Sequence, residues 1–85
     1  MAQNELINLK NLGKTSVRWL DAVGIRTRAQ LVNRGAVDIY RLVKSRGFRA
    51  NRVLLYALQG AILDIHWSEL DAGLKASLIA EAEQA

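Results

Sequence analysis

The chain has no cysteine and no proline, and only one histidine, one methionine and one phenylalanine among its 85 residues. Without cysteine there is neither a disulfide framework nor a thiolate metal site, and a single histidine leaves a transition metal short of ligands. No cofactor is therefore expected. No apolar run approaches the roughly 20 residues that span a bilayer, and the N-terminus lacks the charged-then-apolar pattern of a signal peptide. The expectation is a soluble, cytoplasmic protein that makes no use of a membrane. Without proline or a low-complexity stretch, nothing marks a boundary, so residues 1–85 read as one helical domain. A chain this short buries only about 60 to 65% of its unfolded surface, enough for one core and too little for a deep cleft.

Half of the residues, 51%, are hydrophobic and 24% are charged, which is a globular composition and not a disordered one. The net charge of +4 conceals an asymmetry. Residues 1–52 hold eleven Lys and Arg against three acids, a balance of +8, whereas residues 53–85 hold Lys75 against five acids, a balance of −4. Such polarity suits a basic face for nucleic acid or an acidic partner, and it equally suits a mixed surface that keeps a small protein soluble.

Glycine supplies the punctuation. Leu9–Gly13, Leu20–Gly24 and Leu31–Gly35 repeat one Leu-x-x-x-Gly unit every eleven residues, and Val43–Gly47 echoes it twelve residues on. Each glycine is a place where a short helix ends in a left-handed conformation. A helical turn is expected between Asn4 and Leu9. A helix from Lys14 to Val23 turns Val17, Trp19, Leu20 and Val23 toward a core, with Lys14 and Arg18 one turn apart on its polar side. Thr27 with Gln30 is a capping-box pattern for a helix to about Asn33, with Leu31 and Val32 buried. Gly35 opens a helix over about 36–46, with Asp38 near its positive end and Arg41, Lys44 and Arg46 toward its negative end.

Arg52 to Asp64 brackets VLLYALQGAIL, a helix apolar nearly all round and hence the central one, covered by its neighbours or partly by another subunit. Gly60 inside it reads as a place of close helix approach. Ile65, His66 and Trp67 form a connector in which His66 packs or caps. Asp71 then caps a last helix with Leu74, Leu78, Ile79 and Ala82 as its apolar stripe. No strand pattern occurs. The fold class is all-α: a compact bundle of about five short helices with helix-hairpin-helix-like turns around a central apolar helix.

The stretch that carries chemistry is LKNLGKTS, Leu9–Ser16. Gly13 before Lys14, Thr15 and Ser16 has two readings. It is a plain turn in which Thr15 or Ser16 caps the next helix, or it is a hairpin whose free helix N–H groups and Lys14 hold a phosphate. A nucleotide-hydrolysing P-loop needs another glycine five positions before Gly13; that position is Asn8, and no strand leads into the loop. No paired carboxylates or triad are assembled, so no enzyme is expected. The aromatic residues Trp19, Trp67, Tyr40, Tyr56 and Phe48 read as core more readily than as base-stacking platforms. In the helix-hairpin-helix arrangement, backbone N–H groups at the turn contact a DNA phosphate without reading bases. Its commonest form has two glycines around an apolar residue, where this chain has Asn11 and Leu12 before a single Gly13. The candidate nucleic-acid contacts are Gly13, Lys14, Thr15, Ser16 and Arg18, flanked by Arg26, Arg28, Arg49 and Arg52.

NLGKTS is similar to the NLGKKS-type turn of the C-terminal domain of the bacterial RNA polymerase alpha subunit, which contacts the minor groove and activators; there the turn lies later in the domain. A longer resemblance runs from about Leu9 to Leu78. NLGKTSVRWLDAVGIRT, RGAVDIYRLVKSRG, LLYALQGAI and HWSEL resemble, in order and spacing, the TfoX C-terminal domain family, which is associated with regulation of bacterial competence genes. The family often has proline where this chain has Lys14 and Asp71, and either residue suits the same turns. The resemblance implies an all-helical domain linked to transcriptional regulation, with no catalytic residues. Longer family members carry a preceding N-terminal domain; a stand-alone domain without it is the expectation here, and DNA backbone, a transcription-related protein and an N-terminal-like partner are the expected partners. The second reading of the chain is a protein-interaction or self-association module, a homo-oligomer included, that does not touch DNA.

Overall fold

The computed structural model describes residues 5–84 as an all-α fold of five α-helices and two single-turn 3-10 helices. After the 3-10 turn Glu5–Asn8 come α1 (Lys14–Ala22), α2 (Arg28–Arg34), α3 (Ala36–Ser45) and α4 (Arg52–Leu63). A second 3-10 turn, Trp67–Glu69, then leads into α5 (Ala72–Glu83). There is no strand among the described residues. The helical stretch expected from Asn4 starts at Glu5; Asn4 itself lies outside the described residues.

α4 is the central helix, packed against α2, α3, α5 and the turn Trp67–Glu69. Its Leu54, Leu55, Ala57, Leu58, Gly60 and Ala61 are all buried. The innermost side chains are Leu6, Leu20, Leu31, Ile39, Val43, Leu55 and Leu58, drawn from the first 3-10 turn and from α1, α2, α3 and α4. Fully burying each such side chain stabilises the fold by about 1.5 to 3 kcal/mol relative to leaving it in water. Two details differ from the sequence reading. Val32 is 47% exposed, because the seven-residue α2 turns Leu31 inward and has no second apolar face. α4 also keeps Val53 and Leu63 exposed at its two ends, where it runs past its neighbours.

The caps follow local chemistry. Gln30 N–H donates to Thr27 Oγ1 at 3.1 Å, and Thr27 N–H donates back to Gln30 Oε1 at 3.1 Å, the reciprocal pair expected at the start of α2. Asn51 caps α4, Asp71 caps α5, and His66 caps the turn Trp67–Glu69 by accepting from the Ser68 N–H. Gly24, Gly35 and Gly47 all adopt φ between 83° and 89°, the left-handed region that glycine enters without strain. Gly13 does not: its φ is −94°, and Asn11 takes the left-handed conformation in that turn, at φ 73°.

Asn11 uses that conformation to reach the far end of α4. Its Nδ2 donates to Ile65 O at 2.9 Å and its Oδ1 accepts from Trp67 N–H at 3.0 Å. The approach depends on Gly60, where a β-carbon would stand 2.5 Å from Asn11 Nδ2 and 2.8 Å from Ile65 O. Close approach is therefore the role of Gly60, and the tight fit fixes the Leu9–Gly13 turn against α4. Trp67 in turn stacks on Tyr56 at 6.0 Å, with Lys75 Nζ over both rings at 5.3 and 5.4 Å. That arrangement docks α5 onto α4.

A basic surface at the entrance of α1

Clamping Asn11 leaves the next residues free. Gly13 is the N-cap of α1, exposed, with no side-chain cap hydrogen bond, and a β-carbon there would meet nothing within 4 Å. Thr15 and Ser16 lie inside the first turn of α1 and do not cap it, contrary to the plain-turn reading. The first bond of the helix is Val17 N–H to Gly13 O at 3.0 Å, so no described group accepts from the backbone N–H of Lys14, Thr15 or Ser16. Such an end carries partial positive charge. Lys14 and Arg18, one turn apart and exposed, form no hydrogen bond or ion pair among the described residues.

Much of the remaining basic charge is engaged elsewhere. Arg26 Nε pairs with Asp21 Oδ1 at 2.5 Å. Arg28 donates from its guanidinium to Ile62 O at 2.7 Å and from its backbone N–H to Glu5 Oε1 at 2.7 Å. Arg52 pairs with Glu83 at 3.4 Å. These three flanking candidates each have a partner on the same chain. Lys10 Nζ donates to Asp64 O at 3.2 Å and Arg41 to Gln84 O at 3.1 Å, so Lys10, Arg28 and Arg41 all sit at the carbonyl ends of α4 or α5, where a cation complements the helix dipole.

Arg49 is different. It stands exposed, without a hydrogen bond or ion pair among the described residues, in the loop between α3 and α4, beside Phe48, whose ring stacks on Trp19 of α1 at 5.6 Å and 21°. The ring contact holds this loop to α1. It also brings in Arg46, which the sequence reading assigned to the end of α3 and which is exposed and likewise has no side-chain partner among the described residues. Lys14 and Arg18 on α1, with Arg46 and Arg49 on the loop, thus occupy the two segments that the Trp19–Phe48 stack joins. Gly13, Thr15 and Ser16 belong to the same entrance; Arg26, Arg28 and Arg52 do not join it as free cations. Arg46 was hidden in the sequence because it follows a helix whose end excuses basic residues, and only the ring contact reveals its company.

A separate groove of about 650 Å³ runs past Arg34, Gly35, Asp38, Arg41, Gln59 and Glu81 and contains none of the candidate residues. Two arginines and two carboxylates line it, so it has no single charge preference. No group of three or more His, Cys, Asp or Glu side chains that could hold a metal occurs among the described residues. None of the described helices is long and apolar enough to cross a membrane.

Comparison with solved structures finds the same fold in an uncharacterized protein from Listeria monocytogenes, seen in a triclinic crystal form. The two are 31% identical with a TM-score of 0.83, over 87% of this chain and 84% of the other. None of the curated proteins matches this chain. The family described as the TfoX C-terminal domain matches residues 2–82, almost the full length. With the all-α architecture and this match together, the chain belongs to the TfoX C-terminal domain family.

Proposed function

We propose that this chain is a non-enzymatic helical module of transcriptional regulation, of the competence type, that acts by touching DNA backbone or a DNA-bound protein. The observation that carries the reading is the entrance of α1: an uncapped helix start with unpaired Lys14 and Arg18 on its first turns. Free N–H groups, partial positive charge and mobile cations are what a phosphate oxygen needs, and none of them discriminates between bases. Family membership supports the link to gene regulation.

Contact with about four phosphates gives log affinity falling against log salt with a slope near −3.6. Anisotropy titration of labelled duplex DNA at two salt concentrations measures it. The expected result is binding at low salt that weakens with that slope and is lost on Lys14→Glu. Absence of binding at low salt, or indifference to Lys14→Glu, overturns the reading.

A second reading rests on the exposed apolar side chains Val53 and Leu63 at the two ends of α4, with Val32 and Ile7 also exposed. They favour a protein-interaction or self-association module. Light scattering across a concentration series tests the homo-oligomer version, for which the mass rises toward a dimer; a constant monomer mass removes it.

A further inference from the structure

The four cations, none of them in an ion pair among the described residues, do not surround a bare backbone. Between their two segments lies the Trp19–Phe48 stack, whose rings are both only half-buried. A stacked aromatic pair that keeps part of its surface in water has a use that a phosphate-binding helix entrance lacks. Its face is sticky toward flat, polarisable rings, and every nucleobase offers one. In a duplex those faces are hidden between neighbouring base pairs, and only the phosphates and groove edges are presented. In a single strand they are free. The Tyr56–Trp67 pair offers a contrast within the same molecule: there Lys75 already lies over both rings, and residues 53–85 hold five acids against that one lysine. Among the described residues no cation lies over the Trp19 or Phe48 ring, and Arg18, Arg46 and Arg49 are within two positions of them in the chain.

We infer that this surface prefers single-stranded DNA, with an unpaired base on the solvent side of the Trp19–Phe48 stack and the neighbouring phosphates on Lys14, Arg18, Arg46 and Arg49. The inference rests on the phosphate-binding reading of the α1 entrance and adds the class of nucleic acid. Salt dependence arises from the cations and strand preference from the rings. The two contributions are therefore separable by substitution.

The test compares three labelled ligands on the intact chain: a short thymine strand, an abasic strand of equal length, and a duplex with as many phosphates. One base stacked on an aromatic side chain supports a preference of about tenfold for the thymine strand over the other two. Phe48→Leu keeps an apolar side chain against the core and removes the ring; it is expected to weaken the thymine strand more than the duplex and so to close the gap between the two ligands. In a Trp67→Phe background, emission from Trp19 is expected to be quenched by the thymine strand and unchanged by the abasic one. Equal affinity for all three ligands in the unsubstituted protein overturns the strand preference and leaves phosphate contact standing. Binding of none of them overturns the phosphate-binding reading itself. A thymine preference that survives Phe48→Leu, with Trp19 emission unmoved, removes the stack from the site.

Discussion

Two turns in this molecule share one sequence pattern and are built differently. Leu20–Gly24 closes as the pattern suggests: Gly24 takes φ 83°, and Ile25 N–H returns to Leu20 O at 2.8 Å, ending α1. Leu9–Gly13 hands the left-handed position to Asn11, whose amide bonds across to Ile65 and Trp67, while Gly13 keeps an ordinary φ and starts a helix with no cap. Equal spacing of Leu and Gly therefore sets where the chain reverses, but not which residue bends nor which groups are left free. The second turn is purely a reversal. The first is a clamp on one side and an exposed helix start on the other.

Substitutions break this contrast in graded steps. The largest effect is expected from Asn11→Ala, which orphans the Ile65 carbonyl and the Trp67 N–H and also puts a residue ill-suited to φ 73° in the turn; a loss of about 3 kcal/mol is expected. Urea unfolding followed by circular dichroism measures it, and a loss below about 1 kcal/mol would dissolve the distinction between the turns. Gly24→Ala comes next. A β-carbon there meets no neighbour, so the cost is the left-handed backbone alone, about 1 to 2 kcal/mol by the same titration. The smallest is Gly13→Ala, within about 0.5 kcal/mol of the parent, because its φ suits any residue and the reduced freedom of the unfolded chain offsets a slightly poorer cap. Equal losses at Gly13 and Gly24 would contradict the two-turn picture.

The fold was legible because its signals are local. Thr27 with Gln30, Asp71 before α5, the apolar run of α4 and the glycines at 24, 35 and 47 each act within a few residues, and the helices begin and end close to where those residues require. The candidate site was legible only in part. Gly13, Lys14 and Arg18 could be grouped from the sequence because they lie within two helical turns. Whether a distant arginine was free depended on partners 31 and 34 residues away, Glu83 for Arg52 and Ile62 for Arg28, and no periodicity records such pairs. The left-handed Asn11 escaped for a related reason. Asparagine tolerates that conformation less readily than glycine, and here it is stabilised by hydrogen bonds that exist only once α4 and its following loop are in place.

The Asn11 clamp also bears on how a chain without cysteine holds its ends together. Its bond to Trp67 joins positions 56 apart and encloses α1, α2, α3 and α4 in a single ring. Small domains with limited cores often close such a ring with a disulfide. Here one carboxamide, seated over a glycine, does so with hydrogen bonds. It holds only the folded state and opens with it, and it is indifferent to the redox potential of the surroundings.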